Sequence, residues 1–166
     1  MCHCLKLKHW PSKHLGISLS RAMNNDTLSL TLPTKSDYAG VVRLMLSGIC
    51  ARMDYSVSDI ENIKLAVSEA YSNVIKHAFK QKPESDVTVK FYVLDHGLKI
   101  CIHDDGDGFD VNGKKTDYNF DDLDDPSVGM GVGLTFIESL MDEMNIDSTI
   151  GTGTVVTMFK KKSNCN

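Results

Sequence analysis

Three short stretches of the chain hold residue types that could do chemistry. In a helical pattern from residue 58 to about 80, Glu69 and Asn73 stand four residues apart, with Lys76 on the same stripe and Ser72 beside it. That stripe lies about 140° round the helix from the apolar one of Ile60, Ile63, Val67, Ala70 and Val74, at ~100° per residue. Alone, it reads first as a solvated helix face. A carboxylate and a carboxamide on one face become a site only where an anionic, metal-bearing group lies opposite. The second stretch, Asp104-Asp105-Gly106-Asp107-Gly108-Phe109, follows a strand pattern. Its glycines permit close backbone approach to a flat ligand, and a carboxylate at a strand end can accept hydrogen bonds from an exocyclic amine. As a calcium loop it fails: an EF-hand register from Asp105 puts Thr116 where a Glu belongs, and a strand, not a helix, leads in. The third, Gly129-Met130-Gly131-Val132-Gly133-Leu134, opens a helix, where free N–H groups and the positive dipole end suit phosphate. No Gly-Lys-Ser/Thr follows, so it is not a Walker A loop. No strand leads directly in and Leu134 stands in place of a third glycine, so it is not a Rossmann fingerprint either.

The elements that must carry these residues follow from periodicity. Leu28, Leu30 and Leu32 alternate with polar residues as a strand stopping at Pro33. A helix is expected over 36–52, with Ser36 as N-cap and Tyr38, Val41, Val42, Met45 and Ile49 as its apolar stripe. A second starts at Ser58, where Ser58-Asp59-Ile60-Glu61 has capping-box spacing. Val87–Val93 and Leu98–Ile102 alternate about Asp95-His96-Gly97 as a hairpin. Residues 105–128 read as a long loop, a helix resumes near Gly131 and continues through Met144, and two strands flank Gly151-Thr152-Gly153. Strands in pairs rather than alternating with helices indicate an α+β fold, a mostly antiparallel sheet with helices on one face.

Composition sets outer limits. The chain has 166 residues, enough for one domain, with 18 Lys and Arg against 22 Asp and Glu, a net charge of −4. Residues 1–22 hold four of the basic residues and no acid, which leaves 23–166 at net −8. That balance argues against direct nucleic-acid binding. No apolar run approaches the roughly 20 residues of a membrane helix, so no membrane role is expected. Five cysteines without a disulfide pattern point to a reducing, cytoplasmic setting. Cys2, Cys4, His9 and His14 match no common zinc spacing. Residues 1–22 read as a disordered extension or a stretch upstream of a start at Met23, 23–162 as the domain, and 163–166 as a tail.

The three stretches in this order, followed by Gly153-Thr154 in a late strand, resemble the GHKL (Bergerat) ATP-binding sandwich shared by gyrase and the histidine kinases. Ser-Glu-Ala-Tyr-Ser-Asn-Val-Ile-Lys-His-Ala-Phe (68–79), Arg-Leu-Met-Leu-Ser-Gly (43–48) and Ile-Glu-Ser-Leu-Met-Asp-Glu (137–143) narrow the likeness. They resemble the anti-sigma-factor serine kinases of the RsbW type, over residues 24 to about 160. The resemblance implies a GHKL ATP-binding kinase domain using ATP and Mg²⁺. It makes Asn73 the Mg²⁺ ligand, Glu69 the general base toward a serine hydroxyl, and Asp104 the acceptor of the adenine amine. Gly106 and Gly108 let the base lie close, and Thr154 backs it through a water. Gly129, Gly131 and Gly133 form the hinge and backbone of an ATP lid over about 110–130, and His77 joins the nucleotide-contacting set. The lid carries Lys114 and Lys115 but no Arg. The implied partners are an alternative sigma factor and an anti-anti-sigma antagonist phosphorylated on serine. Arg43 resembles a partner-contact position and reads equally as a solvated arginine. An exposed edge at strand 28–32 would favour a homodimer. Two other readings compete. A histidine-kinase catalytic domain would need a phosphoacceptor His on an upstream helix, and His3, His9 and His14 lie in an unpatterned segment. A non-enzymatic, ATP-gated binding module would have no need of the carboxylate of Glu69.

Overall fold

In the computed structural model, residues 16–22, 25–77, 85–108 and 126–162 are described. The alternating segments form a six-stranded sheet in the order β1-β2-β3-β4-β6-β5, every neighbouring pair antiparallel. The strands are β1 (Gly16–Ala22), β2 (Asn25–Pro33), β3 (Asp86–Leu94), β4 (Gly97–Asp104), β5 (Glu143–Thr149) and β6 (Gly153–Lys161). Three helices, α1 (Ala39–Cys50), α2 (Val57–His77) and α3 (Pro126–Leu140), join them. Period-two patterning puts Leu30, Leu32, Val89, Phe91, Ile100, Ile102, Val156 and Met158 on one sheet face. They form one core with Val42, Leu46 and Ile49 of α1, Ile63, Val67 and Tyr71 of α2, and Ile137 of α3. The expected α+β sandwich is the one observed.

Local chemistry moves several boundaries. Gly16–Ala22, expected in a disordered extension, forms β1 and pairs along β2, with Ile17 opposite Leu30 and Leu19 opposite Leu28. Two alternating apolar residues are too short a pattern to stand out beside the unpatterned 1–15, which lies outside the described residues. The edge expected at 28–32 is therefore covered, and the outer strands are β1 and β5. Ser36 does not cap α1: a 3₁₀ turn over Ser36–Tyr38 precedes it, and neither Lys35 nor Tyr38 makes a side-chain cap. Val41, placed in the apolar stripe by periodicity, is 41% exposed, the core face being Val42, Leu46, Ile49 and Cys50. The side-chain cap of α2 lies two residues earlier than expected. Ser56 Oγ accepts from the Asp59 N–H at 3.0 Å and donates to Asp59 Oδ2 at 2.7 Å. Helix α3 begins at Pro126, a proline in the first turn where its missing N–H costs nothing. It therefore encloses Gly129 and Gly131, and it ends at Leu140, leaving Met144 to β5.

Helices α2 and α3 run antiparallel. Gly133 of α3 lies against Glu69 and Asn73 of α2. Beyond the C-terminal end of α3, Lys160 Nζ stands 3.9 Å from Asp142 and 3.8 Å from Asp59 in the first turn of α2. The same Nζ donates to the Leu140 carbonyl at 3.0 Å, and the Tyr55 hydroxyl donates to the Lys160 carbonyl at 2.7 Å.

Candidate nucleotide site

Two groups of the predicted residues come together. The first joins α2 to α3. Glu69 and Asn73 are half-buried on the face predicted from the sequence, and Gly133 is buried opposite them. A Cβ at Gly133 would collide with Glu69 Oε1 and stand 3.0 Å from Asn73 Nδ2, so any side chain there would push these two polar ends aside. Among the described residues Asn73 Nδ2 is buried without a hydrogen-bond partner, an exception that needs an explanation. A polar ligand entering this seam would supply one.

The second group lies at the end of β4 and the start of β6. Asp104 is only 2% exposed, and its Oδ1 accepts the Gly106 N–H at 2.9 Å. Burial pushes its carboxyl above the usual carboxylate range, against the smaller opposing pull of that N–H. Thr154 sits opposite Asp104 in the β4–β6 register, and its Oγ1 pairs with Ser148 Oγ at 2.9 Å. Gly153 at φ +101° and Gly108 at φ +59° hold conformations that side chains rarely adopt. A Cβ at either would strike backbone carbonyls, that of Asp104 and that of Thr149 respectively. The Gly151 N–H donates to the Asp107 carbonyl at 2.7 Å, fastening the loop after β4 to the β5–β6 turn. The result is a floor of backbone with one buried carboxyl and one buried hydroxyl. Such a floor suits a flat heterocycle carrying an amine.

His77 is the last residue of α2, one turn beyond Asn73, and its side chain lies outside the described residues. Gly129 and Gly131 lie within α3, whose ladder takes up helical N–H groups beyond the first turn. Most of the proposed lid, with Lys114 and Lys115, also lies outside the described residues. Sequence reasoning missed Ser148. The register decides it: the β5–β6 turn is centred on Gly151, which places Ser148 across from Thr154, whereas spacing alone did not fix that centre. For a divalent cation, Asn73 and Glu69 offer hard oxygen atoms, and no group of three or more His, Cys, Asp or Glu able to hold a metal exists among the described residues. That fits Mg²⁺, which is ordinarily held by one or two protein ligands together with waters and substrate phosphates.

The description "Histidine kinase-like ATPase domain" matches residues 32–160. Serine-protein kinase RsbW of Bacillus velezensis is 37% identical over 138 residues, 81% of this chain and 86% of that one. RsbW of Bacillus subtilis (strain 168) is 35% identical over 140 residues, 82% of this chain and 87% of that one. The chain belongs to the RsbW family of serine-protein kinases. The same sandwich recurs in the RsbU and RsbW domains of a Mycobacterium tuberculosis protein, with a TM-score of 0.59 and 22% identity. This chain is covered to 81% and spans 32% of that one. It recurs also in the histidine kinase domain of a blue-light activated kinase from Erythrobacter litoralis, at TM-score 0.52 and 22% identity, covering 80% of this chain and 62% of that one. At these identities the two structures speak to the fold of the kinase family and not to its chemistry. Among the described residues no helix is long and apolar enough to cross a membrane.

Proposed function

We propose that this kinase transfers the γ-phosphate of ATP to a serine of a small antagonist protein, and that in a competing complex it sequesters an alternative sigma factor in the cytoplasm. The observation that carries the transfer step is the seam in which Glu69, Asn73 and Gly133 meet, with Asn73 Nδ2 buried and unpartnered. In this reading Asp104 and the Gly106–Gly108 backbone receive the adenine ring, the Asp104 carboxylate accepting from its amine. Thr154, held by Ser148, orients a water beneath the ring. Asn73 holds Mg²⁺ through Oδ1, and its amide donates to the phosphate chain. Mg²⁺ supplies charge neutralisation at the phosphates. Glu69, one turn before Asn73, takes the proton from the incoming serine hydroxyl as that oxygen attacks. Gly133 keeps α3 close enough to exclude water from the carboxylate. His77, Gly129 and Gly131 complete the phosphate side.

Phosphorylation adds about −1.5 to −2 charge to the antagonist, and an acidic kinase surface then repels the product. The test adds purified protein, Mg²⁺ and γ-labelled ATP to native extract of the source cells, with Glu69→Ala as control. One small protein labelled on serine by the wild type alone is the expected result. ATP binding with no labelled protein would leave a nucleotide-gated binding module instead. Sedimentation of the purified chain tests the homodimer, for which β1 and β5 are the available sheet edges.

A further inference from the structure

The inward-facing positions of β5 change character where they reach the floor. Met144 and Ile146 pack against the core and stand opposite Met158 and Val156 of β6. The next inward position is Ser148, opposite Thr154. Two apolar cross-strand pairs thus give way to a pair of hydroxyls, where alternation alone calls for a third apolar pair. Thr154 is 9% exposed and Ser148 is half-buried. The change falls where the backbone of Gly153 runs against Asp104.

The two hydroxyls have a defined polarity. Each carries one proton and can also accept. Ser148 Oγ lies 2.9 Å from Thr154 Oγ1 and 3.2 Å from the Gly153 carbonyl oxygen. A carbonyl only accepts, so Ser148 is the donor in the second contact. Its single proton is then in use, and the first contact is a hydrogen bond only if Thr154 donates. The assignment that makes both contacts hydrogen bonds is therefore a chain from Thr154 to Ser148 to the Gly153 carbonyl. The Thr154 proton is directed along this chain to β5, which leaves its oxygen as an acceptor for anything on the floor. Asp104, beside Thr154 in the β4–β6 register, is also an acceptor when ionised.

We propose that Ser148 is a positioning residue for base selection: by taking the Thr154 proton it leaves the floor with two acceptors, which admit a 6-aminopurine and refuse a 6-oxopurine. This rests on the nucleotide reading above. The 6-amino group donates to Asp104, while a water that donates one proton to Thr154 gives its other to the unprotonated ring nitrogen N1. A 6-oxopurine reverses both positions, setting its oxygen against the carboxylate and its N1–H against the water proton. Buried polar groups left mismatched in this way are what a site uses to reject an analogue. Without Ser148 the Thr154 hydroxyl can turn and donate to the water, which is then free to accept from N1–H.

The test compares ATP with inosine triphosphate, whose base differs only at position 6 and N1. Each is titrated with Mg²⁺ in competition with a fluorescent ATP analogue. The wild type is expected to bind ATP about a hundredfold or more tightly than inosine triphosphate. Ser148→Ala should bring the ratio of the two Kd values about tenfold closer to one, the size of one hydrogen bond. Ser148→Val, a residue suited to a strand, carries the same test if the alanine variant does not fold. Ser148→Thr, which keeps the hydroxyl, should keep the wild-type ratio. In a Thr154→Val background, Ser148→Ala should leave the ratio unaltered, since the hydroxyl it positions is gone. An unchanged ratio in Ser148→Ala, with both nucleotides weakened equally or neither weakened, would overturn the proposal and leave the nucleotide reading intact. So would a wild type that binds the two nucleotides alike. A wild type that binds neither would remove the nucleotide site, and this role with it.

Discussion

The two ends of the α2–α3 pair are built on opposite plans. At the Lys160 end every polar group named above has a partner: the ammonium has the Leu140 carbonyl and two nearby carboxylates, and the carbonyl of Lys160 has the Tyr55 hydroxyl. At the Gly133 end a carboxylate and a carboxamide face a glycine, and a buried amide nitrogen has no acceptor among the described residues. An unpaired buried donor costs about 1–3 kcal/mol, so the second arrangement gives up stability that the first secures. The same helices are clamped at one end and held ready for a ligand at the other.

Substitutions at the two ends should separate these roles. The largest effect is expected from Glu69→Gln, which keeps size and polarity but removes the carboxylate proposed as the base. Transfer to the acceptor should fall by about 10²–10⁴ in kcat, with Tm within a degree or two of wild type. An equal loss of stability would make Glu69 structural and erase the contrast. Lys160→Met should do the reverse, losing about 1–3 kcal/mol in denaturant unfolding because the Leu140 carbonyl loses its donor, with KM for ATP unaltered. Asp104→Asn comes next. ATP affinity should drop about tenfold, as expected for loss of one charge-assisted hydrogen bond, by nucleotide titration. The same substitution has a signed pH signature. Burial raises the folded carboxyl above the ordinary aspartate value of 3.8, so the folded state binds its proton more tightly than the unfolded one. Wild-type stability therefore falls with rising pH from about 3.8 up through the raised value, and the D104N protein lacks this decline. Urea unfolding of both proteins at pH 4 and pH 7 measures it, and a parallel pair of curves would refute it. Smallest is Tyr55→Phe, expected to cost about 1 kcal/mol with no effect on nucleotide binding.

Much of the fold was legible because the strands alternate cleanly: Val87, Val89 and Phe91, and Leu98, Ile100 and Ile102, are the buried positions the pattern names. The face carrying Glu69 and Asn73 was legible from 3.6-residue periodicity alone. What periodicity could not give was chosen by tertiary contacts. Ser56 rather than Ser58 caps α2 because both serines precede an acid by three residues, and spacing cannot choose between them. Helix α3 begins before its glycines, although glycine propensity argues for a start near Gly131. The unpartnered state of Asn73 exists only because α3 packs over it, a contact between residues sixty apart in sequence. Ile17 and Leu19 were hidden by their brevity and find their meaning in the register with β2.

The backbone floor at the end of β4 is assembled from residues fifty positions apart, Asp104 closing β4 and Thr154 near the start of β6. Long-range strand pairing of this kind is slow, since the intervening chain must be brought to heel before the contact rewards it. On a ribosome, β1 to β4 and both earlier helices can emerge and collapse while Asp104 still lacks its neighbour. That floor exists only once β6 has paired between β4 and β5. Cellular ATP, at a hundredfold excess over Kd, would add about 2.7 kcal/mol to that completed form alone. Any ligand held on that floor would thus favour the completed fold over every partly paired one.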